Sequence, residues 1–271
     1  MVEPLKLLCV FAHPDDESMG AGGILIKYSL EGVQTFLLCA TRGERGWPAD
    51  PQTNPGMAVL GQMREAELFC AAEALGISQV DFLDYLDGDL DQAPLGKIIP
   101  EITAYIRKVR PQVVITMPPD GIYGHPDHIA ISAFTSAAVM CAADAGYPGM
   151  DGLLPHRVSK LYYMVEHEDI VDAFCRHLGQ EFSMEVDGVV RKFSGWKDWM
   201  VTAQIDASPY WEQVREAINC HRTQLQGDNA WLVEMSDEMH ALTWSRQSYY
   251  RVFSLVNGGR EVETDLFAGL R

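Results

Sequence analysis

A chain of 271 residues with 47% apolar side chains can bury a substantial core, enough for one large α/β domain or two small ones. Its formal charge of −17 and its lack of any Lys/Arg cluster argue against nucleic acid as a partner, because a phosphate backbone must meet a basic face; solubility is the plainer meaning of the charge. No uninterrupted apolar run reaches the roughly 18 residues that crossing a bilayer needs, and "MVEPLKLL" lacks the basic start and apolar centre of a secretory signal. Stable membrane insertion is therefore not expected, and the cytoplasm is the expected location.

In chain order, short β-rich runs at residues 6–11, 34–40, 80–83 and 113–116 alternate with helical patterns at 22–30, 58–75, 95–109 and 126–142. This alternation predicts βαβ units and a mostly parallel sheet flanked by helices. Pro100 is expected to kink the third helix or to mark its start, and Gly32 and Gly76 suit positions just past helix ends. "RGERGWPADPQTNPG", 42–56, is rich in Gly and Pro without a period and reads as a long loop after the second strand. Beyond Pro155, "KLYYMV" reads as a strand, "FSMEVDGVVRKF" as a hairpin turning near Asp187-Gly188, and "SPYWEQVREAINCHRTQ" as a helix capped by Ser208. One domain over 1–271 is expected: a Rossmann-like core to about residue 145 and a smaller C-terminal elaboration from about 155.

Six cysteines (Cys9, Cys39, Cys70, Cys141, Cys175, Cys220) show no C-x-x-C spacing, and four sit in apolar surroundings. They are expected to be small buried hydrophobes and not a disulfide framework.

Ionisable residues gather at two of the expected strand ends. "AHPDDE" follows the first strand and "DGIYGHPDH" the fourth, the edge at which open parallel sheets bind ligands. An Asp-Asp-Glu run alone would serve equally as a helix cap, and a lone His-Pro as a turn. Two clusters sharing "HPD" point instead to a metal site. His13, Asp16 and His128 supply two imidazoles and a carboxylate, the set with which catalytic zinc leaves a position open for water. Asp15, beside a ligand but on another side of the turn, is then the candidate to take the water's proton.

"AHPDDE" with "GAGGIL", then "TRGERG", "QMREAEL", "YLDGDL", "YGHPDH" and, later, "CHRTQ" resemble in order and spacing the N-acetylglucosaminyl-phosphatidylinositol deacetylase family, also called LmbE-like. The resemblance implies a Rossmann-like fold and zinc-dependent hydrolysis of an amide, usually the N-acetyl group of a glucosamine unit. It assigns one Zn2+ to His13, Asp16 and His128, and the general base to Asp15. His125 matches a residue that protonates or stabilises the tetrahedral intermediate, with Asp127 orienting it, and Tyr123 matches a mobile tyrosine at the oxyanion; zinc, a cationic His125 and the Tyr123 hydroxyl could each stabilise that charge, and either Asp15 or His125 could protonate the leaving amine. Arg64 and Asp87 match substrate-binding residues, although a helical Arg64 also reads as paired with Glu67, and Asp87 as a turn residue.

Other positions have blander readings. Glu17 is expected to steady the turn, Glu44 and Arg45 belong to the loop after the second strand, Trp47 either walls the site or packs on its own loop, and His221 is expected to be a structural histidine on the C-terminal helix. The implied partner is a soluble small-molecule amino-sugar conjugate; assembly into a homo-oligomer stays open. Alternatives are an amidase of the same family acting on a larger acyl group, a metal-dependent phosphoesterase, and a metal- or sugar-binding protein without catalysis.

Overall fold

A computed structural model describes residues 4–186 and 188–271. Chain order begins β1 (Lys6–Phe11), α1 (Asp16–Leu30), β2 (Gln34–Thr41), α2 (Met57–Leu75), β3 (Gln79–Tyr85), α3 (Leu95–Val109) and β4 (Val113–Thr116). A short helical turn α4 (Gly121–Gly124), α5 (Pro126–Ala143), β5 (Lys160–Val165) and α6 (Glu168–Leu178) follow. The remainder is β6 (Ser183–Val186), β7 (Val189–Lys192), β8 (Ala203–Asp206), α7 (Trp211–Ile218), α8 (Trp231–Glu234), α9 (Asp237–Trp244) and β9 (Arg246–Ser254).

One seven-stranded sheet runs β3-β2-β1-β4-β5-β9-β8. The β1 to β5 pairings are parallel, and β9 is antiparallel to both β5 and β8. The chain runs outward from β1 through β2 to β3 and then returns to β4 beside β1, so β1 and β4 flank the point at which the strand order reverses. Val10 of β1 lies opposite Thr116 of β4, so both strands finish at the same level. Residues Leu7 to Ala12 are wholly buried, as a strand covered by helices on both faces must be.

The expected β1, β4 and α3 bounds match, and Pro100 lies within an uninterrupted α3. Helix α1 begins six residues earlier than expected, at Asp16. Its first turn is polar because Asp16 and Glu17 favour the positive end of the helix dipole, and this hid it from an apolar period. The hairpin forms as β6 and β7; Asp187, expected in its turn, lies outside the described residues, as do Met1 to Glu3 of the N-terminal segment.

Two expectations fail. Ser208 does not cap a helix through "CHRTQ": residues Ser208–Tyr210 form a 3-10 turn, α7 ends at Ile218, and His221 lies in the turns beyond. And Cys70 and Cys220 form a disulfide across a separation of 150 residues, tying α2 to the end of α7. These helices pack side by side, a proximity that spacing along the chain cannot reveal. Among the described residues no helix is long and apolar enough to cross a membrane.

Candidate active site

The β1 end turns through Ala12 to Asp15 into α1. Asp15 sits at φ 118°, a region L-residues avoid, and strain of this kind persists where surrounding contacts impose it. Its amide donates to Glu17 (3.0 Å), and Glu17 is in turn held by Ser18 (2.5 Å) and His221 (2.8 Å). Burial would raise the Glu17 carboxyl, but the His221 charge lowers it on balance, and Glu17 raises His221 against burial. His221 is thus structural, as expected, and its reach to Glu17 links "CHRTQ" to the turn that carries Asp15.

Asp16 Oδ2 accepts the amides of Ala12 (3.1 Å) and His13 (2.8 Å), leaving Oδ1 directed at His128 Nε2, 3.4 Å away. Each histidine has its other ring nitrogen committed. His13 Nε2 lies 3.1 Å from both Asp87 and Asp127, and His128 Nδ1 lies 3.3 Å from the Gly121 carbonyl. Because those partners accept, the committed nitrogens carry protons, and His13 Nδ1 and His128 Nε2 face each other at 3.2 Å. A tetrahedral zinc with bonds of about 2.05 Å holds its ligand atoms about 3.4 Å apart. The separations fit such an ion, and the two opposed lone pairs need either a cation or a shared proton between them. Burial disfavours the His13 charge, but Asp87 and Asp127 overcome this and raise it, the proton-sharing answer in the absence of metal.

His13, His125 and Asp127 also converge. Yet Asp127 accepts from Gly88 (2.8 Å) and His13 through Oδ2 and from Leu90 (3.0 Å) through Oδ1, so it is an orienting carboxylate and not a free ligand.

Helix α5 opens on His125, whose Nδ1 accepts the Asp127 amide (3.1 Å) as a helix cap, with Pro126 at the first helical position. Asp127 therefore orients His125 through its main-chain N–H, while its carboxylate orients His13. The bond fixes the proton of neutral His125 on Nε2. Burial and the neighbouring His13 and His128 push His125 down to about 3, which disfavours its cationic form. Tyr123 follows Ile122, a β-branched residue forced to φ 68°, and its ring lies edge-on to His125 (5.8 Å) and His128 (5.5 Å). Burial raises its phenol far above the usual range, so the hydroxyl keeps its proton.

Arg64 is buried and donates to the carbonyls of Gly43 (2.8 Å) and Pro14 (2.6 Å) and to Asp15 Oδ2 (3.1 Å). The pairing with Glu67 fails, since Glu67 accepts from Thr223 instead. A Cβ on Gly43, itself at φ 64°, would stand 2.3 Å from the Arg64 guanidinium; "TRGERG" needs that glycine to admit the arginine. Burial and the adjacent Asp16 carboxylate raise Asp15, Arg64 opposes them, and the result is about 6. Asp87 accepts the Arg45 amide (3.0 Å), and the His13 and Arg64 cations hold it low against burial. Trp47 donates to Asp50 within its own loop, the second of its two readings.

His13, Asp15, Asp16, Arg64, Asp87, Tyr123, His125 and His128 all line one cavity of about 380 Å³. Sequence reading missed Glu166, which lines the same cavity from the residue after β5; its signal was the strand-end position that singled out "AHPDDE". It also missed the aromatic residues of the hairpin region.

The sequence profile of the GlcNAc-PI de-N-acetylase (PIG-L) family matches residues 8–139. The chain is 33% identical, over 99% of its length and 84% of the relative's, to a 1D-myo-inositol 2-acetamido-2-deoxy-alpha-D-glucopyranoside deacetylase of Kineococcus radiotolerans. It is 32% identical to the Thermobifida fusca protein of the same name, over 97% and 99% of the two chains. In fold it resembles the N,N'-diacetylchitobiose deacetylase of Pyrococcus horikoshii, with a TM-score of 0.68 and 21% identity over 91% of this chain and 83% of that one. Full-length similarity to those relatives, together with the two strand-end clusters, establishes that the chain belongs to the GlcNAc-PI de-N-acetylase family.

Proposed function

We propose that the protein removes the N-acetyl group from a glucosamine-containing small molecule, with one zinc ion held by His13, Asp16 and His128. The observation that carries this reading is the opposition of His13 Nδ1 and His128 Nε2 at 3.2 Å, each ring oriented by an acceptor at its far nitrogen. Zinc bound there supplies Lewis acidity, polarising an amide carbonyl and acidifying a water.

The chain's own residues supply the proton transfers. Asp15, anchored by Arg64 and raised to about 6, accepts a proton from water and holds one for the departing amine. His125 presents a neutral Nε2–H to the carbonyl oxygen as negative charge develops, and the Tyr123 hydroxyl is a second donor there. Asp127 orients both His13 and His125. Arg64 positions Asp15 through Nη2 and lines the cavity with its Nε unpartnered among the described residues, while Asp87 retains acceptor capacity for a sugar hydroxyl. The occupied oxygens of Asp127 weigh against a second metal and so against the phosphoesterase alternative. The working unit is the single domain 1–271, acting on a diffusible amino-sugar conjugate.

The test is a panel of N-acetyl amino sugars, glycolipid headgroups and acyl-cysteine conjugates incubated with metal-reconstituted enzyme and read by mass spectrometry. Acetate release from glucosamine conjugates is expected. Cleavage of the acyl-cysteine conjugates with every N-acetylglucosamine conjugate left intact would overturn the reading.

A further inference from the structure

The cavity has two unlike ends. One is the ionisable cluster around His13; the other is walled by Phe174, Phe182, Phe193 and Trp231. The rings form a continuous surface that starts at the catalytic cluster. Tyr123 lies 4.6 Å from Phe193, Phe193 stacks on Phe182 at 4.0 Å, and Phe182 lies 5.1 Å from Phe174 and 5.9 Å from Trp231.

This wall is not simply interior core. Phe182, Met184 and Val186 alternate along the β6 strand and its approach, with exposed Ser183 and Glu185 between them, so one face of β6 is apolar, while across the ladder on β7 Met184 is paired with Arg191 and Val186 with Val189. Phe182, Met184 and Val186 line the cavity, and Glu185 joins them at its edge. Phe174 belongs to a small hydrophobic cluster against which Phe182 and Trp231 pack, but Phe182, Phe193 and Trp231 remain only partly buried, and Met184 and Val186 join neither of the hydrophobic clusters formed by the described residues. A two-stranded sheet needs its apolar face covered to be stable, and here the covering space is the substrate cavity. A substrate polar throughout would leave this surface in contact with water and sugar hydroxyls, gaining nothing from it.

We infer that the cavity holds an apolar subsite, formed by Phe182, Met184 and Val186 of β6 and its approach and by the Phe174–Trp231 wall, that takes an uncharged aryl or alkyl aglycone of the amino-sugar substrate. The inference rests on the proposed deacetylation. Acetyl offers only a methyl group on the acyl side of the amide, so a larger apolar group has to be on the amine side.

The test uses metal-reconstituted enzyme and the methyl, phenyl and hexyl glycosides of N-acetylglucosamine below any micelle concentration. Acetate release is measured as kcat and KM, and binding by calorimetry. The phenyl and hexyl glycosides should show KM and Kd lower than the methyl glycoside by about tenfold or more, the return on burying several carbons, with kcat little changed. Phe182→Ala and Met184→Gln should each shrink the ratio of phenyl to methyl kcat/KM; Met184 is on the hairpin surface, so its variant keeps the test alive should Phe182→Ala not fold.

Hydrolysis of all three glycosides with equal KM and Kd overturns the subsite and leaves deacetylation standing. An apolar gain seen only when the N-acyl group of the methyl glycoside is lengthened overturns the aglycone assignment. Tighter calorimetric binding of the phenyl and hexyl glycosides without hydrolysis of any retains the subsite and overturns deacetylation; neither binding gain nor hydrolysis overturns both.

Discussion

His125 and His167 close the same local structure in two places. Each follows a buried strand of the sheet and caps a helix, its Nδ1 accepting the amide two residues on, from Asp127 at 3.1 Å and from Asp169 at 3.2 Å. Their other nitrogens meet different surroundings. His125 is stacked with His128 at 4.7 Å and edge-on to His13 at 4.8 Å, inside the cavity, whereas His167 Nε2 is taken by Asp198 at 2.8 Å. A histidine cap is therefore a local device, and chemistry needs a second strand end beside it. The end of β4 lies between the parallel ends of β1 and β5, so His125 meets the turn that carries His13, whereas β5 has β4 on one side and antiparallel β9 on the other, and His167 beyond it turns to Asp198 outside the main cavity.

The largest expected effect is at the strand end that His167 lacks. Asp15→Asn should keep its metal and lose activity by about 10²–10⁴-fold, the range for a general base, measured as acetate release against metal content. His125→Ala should follow, with a loss of about 10²–10³-fold as a carbonyl-oxygen donor disappears. His167→Ala removes an equivalent cap, so the rate should hold while thermal unfolding shows a loss of about 1 kcal/mol; equal rate losses at both histidines would erase the distinction. Replacing Cys70 and Cys220 by Ser should lower unfolding stability by about 2–4 kcal/mol, since a long closed loop is released, and chemical denaturation checks it.

The smallest effect belongs to Glu166, next to His167. Burial alone raises its carboxyl from 4.5 to about 7, so the folded state retains a proton that the unfolded chain releases between those values. Its contribution to stability is therefore lost as pH rises across that window and is flat above it. Glu166→Gln should reduce that loss, read as the difference between variant and wild-type urea midpoints at pH 4 and pH 8; an unchanged difference would contradict an unpaired carboxyl.

The sheet was legible from the sequence where strands are fully buried and helices regular, as at β1, β4 and α3, because burial on both faces writes a continuous apolar run. The convergence of His13, Asp16 and His128 was legible where residues cluster along the chain, since "AHPDDE" and "HPDH" carry the proposed ligands together with Asp15. What escaped depends on contacts between distant segments. Arg64 looks like any helical arginine until Gly43 and Pro14 close around it, and Cys70 reveals no partner until α2 and α7 pack.

Metal titration of chelator-treated enzyme, followed by acetate release from an N-acetylglucosamine conjugate, tests the central claim most directly. Activity should vanish on chelation and return in proportion to added zinc up to about one ion per chain, the number a single set of two imidazoles and a carboxylate holds. Full activity in metal-free protein, or saturation only at two ions per chain, would contradict it.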